Sequence, residues 1–271
     1  MNWRAVRAII RKDLSVVRQS RAIMLPLVIV PIVVLVALPA LASFAPNLVN
    51  LPGAGNDLSQ LLEAMPAGLQ AVMEGRNEEQ RLLLMLLVYI FAPLYLIVPI
   101  MVANVIAADS FAGEKERKTL EALLYTPTSD RELVTAKLMA PWLAAVAVAL
   151  LGFVAYSLVV NITNYRTMGG IFFPNLMWLV LALWVAPAVA AFGLAGGVLV
   201  SARVNTVQEA YQLGGVVVLP IVLLMVSQAV GVIYFSIGLV LLLGLLIWAI
   251  ALALLWYGVR TLRRERLVAR I

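Results

Sequence analysis

Cysteine and histidine are both missing from these 271 residues. Their absence excludes a disulfide framework, a thiolate nucleophile, a Cys/His zinc site and a histidine acid–base catalyst. Charge is scarce too. Asp, Glu, Lys and Arg make up 13% of the chain, against about 25% in a typical globular domain. No Gly-Lys dipeptide occurs anywhere, so the chain lacks the G-x-x-x-x-G-K-[ST] loop that cradles nucleotide phosphates.

What fills the sequence instead is apolar: 63% hydrophobic residues and a mean hydropathy of +1.01. Crossing a hydrocarbon core of ~30 Å takes about 20 helical residues. The apolar runs predict an all-α integral membrane protein with six transmembrane helices near 22–44, 82–107, 138–161, 173–200, 213–230 and 232–258. The last two are inferred from a charge-free stretch of 50 residues, Ala210 to Val259, which is twice the length of one span. Polar Ser227 and Gln228 with flexible Gly231 mark the expected turn. The first run carries an Ala40-x-Ala42 sequence resembling a signal-peptide cleavage site, but the basic region before it is long, and the run is expected to be retained as a span.

Charge placement orients these spans. With both termini cytoplasmic, segments 1–21, 108–137, 201–212 and 259–271 hold 17 of the 20 Lys and Arg residues, leaving Arg76, Arg81 and Arg166 outside. This is the positive-inside pattern. It predicts a multi-pass protein of the cell membrane. A five-span alternative would place Arg260, Arg263, Arg264, Arg266 and Arg270 outside.

Before the first span, apolar Trp3, Val6, Ile10, Leu14 and Val17 recur at helical spacing, with Arg4, Arg7, Arg11 and Arg18 on another face. The pattern predicts an in-plane amphipathic helix on the membrane surface. Periodicity alone leaves two roles open: a topology anchor, or a helix that also touches a cytosolic subunit.

The densest charge lies between spans 2 and 3. DSFAGEKERKTLEALLYTPTSDRE, Asp109 to Glu132, carries ten charged residues in 24. From Glu114 to Tyr125 it reads as a short amphipathic helix, with Leu120, Leu123 and Leu124 on one face and a Glu114–Lys118 i, i+4 pair on another. TPTS breaks it, and Ser129 with Glu132 is a capping box for the next helix. Leucines held outside the bilayer need cover, worth about 1.5–3 kcal/mol per side chain. The cover is either a foreign partner or this chain's own helices.

SFAGEKERKTLEALLYTPTSDRELVTAK, placed after the second of six spans, resembles the loop of ABC type-2 permeases, the membrane subunits of type V ABC exporters. The order of parts along the chain agrees. The resemblance implies that Glu114, Glu116, Arg117, Thr119, Leu120, Glu121, Leu123 and Leu124 belong to a coupling helix docking on a nucleotide-binding ABC ATPase subunit. It also implies that the arginine-bearing helix is a connecting helix beside it. ATP and Mg would sit on the partner, present in two copies, and no cofactor on this chain. A second permease protomer, identical or related, would complete the transport path, embedded in membrane lipid and without nucleic acid.

The predicted spans contain no charge, which speaks against the expected runner-up, an ATP-independent carrier or channel. Asn104, Ser157, Asn161, Ser227 and Gln228 are their polar candidates, either for interhelical bonds or for a substrate pathway. Pro93 and Pro99 are expected to bend span 2. Gly193 and Gly197 form a small-xxx-small face, within one chain or at a dimer seam. The external loop 45–81 predicts two short helices around Pro66, with Leu58, Leu61, Leu62, Met65, Leu69, Val72 and Met73 at helical spacing after an Asp57-x-x-Gln60 cap. Its carboxylates Glu63, Glu74, Glu78 and Glu79 lack a metal-ligand set, so a membrane enzyme is not expected.

Overall fold

A computed structural model describes residues 1–46, 73–118, 129–229 and 235–261. The described residues form helices and no strands. Among the described residues, six helices are long and apolar enough to cross a membrane: span 1 (Ile23–Ala42), span 2 (Glu78–Glu116), span 3 (Arg131–Met168), span 4 (Leu176–Ser201), span 5 (Val207–Gln228) and span 6 (Ile237–Gly258). The N-terminal helix Trp3–Gln19 precedes them. The predicted helices of the 45–81 loop, and its Asp57–Gln60 cap, fall within 47–72 and lie outside the described residues, apart from Met73, which is buried.

Span 2 is the axis. Of its most apolar window 78% is buried inside the bundle, against 17% for spans 5 and 6. Small residues let span 4 close on it. A Cβ on Gly193 would stand 2.5 Å from the Ile100 carbonyl oxygen, and one on Gly197 would stand 2.9 Å from the Ala107 methyl. The small-xxx-small face is therefore an intramolecular seam. On the outer flank, Leu35 of span 1 fits where Gly152 of span 3 has no side chain.

Proline shapes span 2 through a freed carbonyl. Met85–Ile90 is π-helical, and in that register a carbonyl pairs five residues ahead, which for Val88 would be position 93. That position is Pro93, which has no N–H. Trp178 Nε1 fills the vacancy, donating to the Val88 oxygen at 2.7 Å, and the Tyr156 hydroxyl donates to the neighbouring Leu87 oxygen. The Tyr95 hydroxyl donates to the Ala149 carbonyl at 3.1 Å. Their rings, joined by Phe173, pack with centroids 4.8–5.5 Å apart. Spans 2, 3 and 4 are thus bolted together in this half of the bundle.

Helix ends follow local chemistry. Ser129 accepts from the Glu132 N–H while Glu132 accepts from the Ser129 N–H, completing the expected capping box. Gly169, at φ 74, terminates span 3. Asn175 caps span 4 by accepting from the Trp178 N–H. Ser227 and Gln228, expected at the turn between spans 5 and 6, instead belong to the last helical turn of span 5, which runs to Ala229.

Trp178→Phe keeps the ring and removes the donor that serves the Val88 carbonyl. Interhelical hydrogen bonds in membrane proteins are worth about 0.6–1.7 kcal/mol, so we expect a loss of about 1 kcal/mol in a detergent unfolding titration. An unchanged midpoint and slope would rule out this anchoring role.

Candidate functional site

Span 2's helix outlasts its apolar run. After Ala108 it passes through a π-helical stretch, Asp109–Gly113, makes one further turn, Glu114–Glu116, and ends at Lys118, whose φ of 53 is left-handed. Gly113 has a spatial reason. A Cβ there would come within 2.8 Å of both Asp109 Oδ1 and Arg117 Nη2. Its absence lets Asp109 and Arg117 pair across the helix at 3.2 Å.

Glu114 sits one residue beyond this crossing and is buried, 6% exposed. Its two carboxylate oxygens accept from lysines on two other helices: Lys12 at 2.6 Å from the N-terminal helix, and Lys137 of span 3. Lys137 is 3% exposed and also donates to the Ser110 carbonyl at 2.8 Å, with its ammonium 5.3 Å from the centre of the Phe111 ring. Lys12 reaches Asp13 at 2.8 Å, and buried Asp13 accepts from the Ser110 hydroxyl at 3.2 Å. Lys12, Lys137 and Arg117 thus balance Asp13, Asp109 and Glu114, beside a cavity of about 330 Å³ bordered by Lys12, Asp13, Asp109, Ser110, Glu114 and Arg117.

Burial alone would lower the Lys12 pKa. The hydrogen bonds and charges of Asp13 and Glu114 together outweigh it and hold the ammonium above its ordinary value. With the folded value raised, its stabilising contribution is complete below the ordinary lysine range and is lost only as pH rises through the folded value. Lys12 stays charged throughout the physiological range.

Two further ties leave this node. Lys115 donates to the Val204 carbonyl at 3.1 Å, and Glu116 accepts from the Val207 N–H, the first residue of span 5, at 2.8 Å. At the start of span 3, Glu132 accepts from the Asn2 N–H as well as from Ser129. The N-terminal helix is therefore fastened to span 3 at its beginning and to spans 2 and 3 in its middle. Apolar packing of Val6 and Ile9 against Leu133 and Ala136 lies between the two fastenings.

Several expected positions now have places. Glu114 is not on a free face of a helix running to Tyr125. It is enclosed by the chain's own lysines, and its expected i, i+4 partner, Lys118, is the left-handed residue at which the helix ends. Glu116 and Arg117 bind Val207 and Asp109. Thr119, Leu120, Glu121, Leu123 and Leu124 lie outside the described residues. Arg4, Arg7, Arg11 and Arg18 are exposed, the last three beside an open hollow shared with Ile10 and Leu14. Trp3, assigned to the apolar stripe, is 59% exposed, and the buried stripe is Val6, Ile9, Asp13 and Val17.

Among the span residues, Ser157 donates back to the Phe153 carbonyl at 2.8 Å. Asn161 holds the loop before span 4, donating to the Phe173 carbonyl and accepting from the Phe172 and Phe173 N–H groups. Both are structural bonds. Asn104 and Gln228 are buried with unpartnered side-chain atoms. Sequence reading passed over Asp13, Asp109, Ser110 and Lys137. Asp13 offered a signal: it is a carboxylate on the apolar stripe, between Ile9 and Val17.

Removing one member of a buried ion pair costs about 3–5 kcal/mol because the other charge is left unpaired. Glu114→Gln is expected to lower thermal stability in detergent by that order, and adding Lys137→Met is expected to recover most of it. Equal destabilisation by the single and double variants would contradict the charge pairing.

No match was found among curated proteins. The family described as ABC-2 family transporter protein matches residues 7–238, which include the N-terminal helix from Arg7 on, the charged node and spans 1 to 5. A multi-pass helical bundle of this kind, matched over most of its length, belongs to the ABC-2 transporter family and is a membrane permease of an ABC transporter.

Proposed function

We propose that the chain is one permease half of an ATP-driven exporter. It works as a dimer with itself or a related permease and is moved by two separate nucleotide-binding ATPase subunits that carry the ATP and Mg. The observation that carries this reading is the charged node. The end of span 2, the N-terminal helix, the start of span 3 and the head of span 5 are joined there by buried charges and backbone bonds. The segment beginning at Thr119, with Leu120, Leu123 and Leu124, follows the node directly. A push on that segment is delivered to four helices at once.

The positive-inside charge pattern supports placing the node, both termini and the 119–128 segment in the cytoplasm, and loop 45–81 outside the cell membrane. Exposed Arg4, Arg7, Arg11 and Arg18 supply a basic face suited to anionic headgroups or an acidic patch on the ATPase. Broad apolar faces on spans 1, 5 and 6, with Leu25, Ile29, Leu223, Leu242 and Leu245 more than half exposed, fit lipid and a second protomer. An ATP-independent carrier would be expected to hold charge at mid-span. The buried charges among the described residues instead gather where the N-terminal helix meets the end of span 2 and the start of span 3.

Leu120→Asp with Leu123→Asp is expected to abolish co-purification of a co-expressed nucleotide-binding ATPase subunit while membrane insertion stays intact. Undiminished co-purification rejects the docking role of the segment.

A further inference from the structure

Span 5 is built in two pieces. Val207–Gly214 is an α-helix capped by Thr206, which accepts from the Glu209 N–H, Gly215–Val218 is a 3₁₀ turn, and Leu219–Ala229 resumes the α-helix. A 3₁₀ stretch inside a helix marks a place where the chain bends at low cost. The first piece rests on spans 2 and 4 through a narrow seam. A Cβ on Gly214 would lie 2.4 Å from Asn104 Nδ2, one on Gly197 would lie 3.0 Å from Asn104 Oδ1, and one on Gly196 would lie 2.5 Å from a Val217 methyl. Asn104 is therefore boxed between a glycine of span 4 and a glycine of span 5.

This seam carries unmet hydrogen bonds. Asn104 Oδ1, the Ser201 hydroxyl and the Tyr211 hydroxyl are each buried without a partner. Ser201 lies four residues beyond Gly197 and Tyr211 three before Gly214, which puts both on the faces that meet Asn104. Tyr211 also packs against the buried cluster of Ala108, Ala112, Val204 and Ala210, where the end of span 2 meets the head of span 5. Buried polar atoms are paired in the great majority of cases, and each orphan is costly relative to a solvated one. Three orphans on one interface oppose its closure, and parting the interface would hydrate all of them.

The ties that hold the seam shut are at the node. Glu116 accepts from the Val207 N–H, and Lys115 donates to the Val204 carbonyl, so the head of span 5 is leashed to the two residues following Glu114. We propose that Val207–Gly214 is a gate helix that swings off spans 2 and 4 about the Gly215–Val218 turn, wetting the Asn104–Ser201–Tyr211 seam, and that the node controls it through Lys115 and Glu116. This deepens the functional reading, resting on it only for the source of the push. The closed seam stores a preference for opening, and the leash restrains it until the end of span 2 moves.

The natural absence of cysteine makes the test direct. Ser201→Cys is placed in the full chain, in membranes, and its reaction with a water-soluble maleimide is timed against an exposed control, Ser15→Cys. Ser201→Cys is expected to react at least ten-fold more slowly than the control. Adding Gly214→Ala, whose methyl displaces Asn104, is expected to raise the Ser201→Cys rate at least five-fold, and adding Asn104→Ala to that variant to restore slow labelling by making room. Glu116→Ala, which cuts the leash at a distance from the seam, is expected to raise the rate as well and keeps the test standing if the Gly214→Ala chain fails to fold. Equal labelling in every background, fast or slow, overturns the gate, and so does a Gly214→Ala effect that Asn104→Ala fails to reverse. Labelling needs no ATPase, so loss of the docking reading and loss of the gate are separate results.

Discussion

Everything at the charged end of this protein depends on Glu114 finding two lysines. A carboxylate buried to this degree needs cations close by, and they come from two different helices, Lys12 and Lys137. In a bilayer, apolar packing gives helices little preference for one neighbour over another, since lipid tails are as apolar as leucine. Charge supplies the direction that packing lacks. One carboxylate fixes where the N-terminal helix lies, how far span 2 projects and which face of span 3 it meets.

The two ends of the bundle are held by different physics. Around Trp178 the rings of four aromatic residues interlock and three side-chain donors close on backbone carbonyls. Such contacts are short-range, geometrically demanding and all-or-none. At the node the bonds are ionic and radiate to segments of different length, one of them leading to a helix with a 3₁₀ turn in its middle. The aromatic half is closed by packing, and the charged half by pairs that reach from one helix to the next.

The six apolar runs, the Ser129–Glu132 cap and the glycine seam were legible because each is a local pattern with one physical meaning: length, spacing or side-chain size. The far end of span 2 was not. Its apolar run ends at Ala108, whereas the helix continues to Glu116, because paired charges are as compatible with helix as leucines are. Reading Glu114 as a solvated member of an amphipathic face failed for the same reason: its partners lie 102 and 23 residues away, beyond any window of periodicity. The π-helical register at Met85–Ile90, and with it the roles of Trp178 and Tyr156, had no local signal beyond Pro93.

The aromatic clamp also bears on where a cargo can travel. To thread a solute between spans 2, 3 and 4 of one copy, the rings of Tyr95, Tyr156, Phe173 and Trp178 would have to separate, stripping the Leu87, Val88 and Ala149 oxygens of their donors in a medium without water to replace them. That half of the molecule is a plug and not a bore. The open faces of the bundle lie elsewhere, on its outer walls, where the sparsely covered spans 1, 5 and 6 stand.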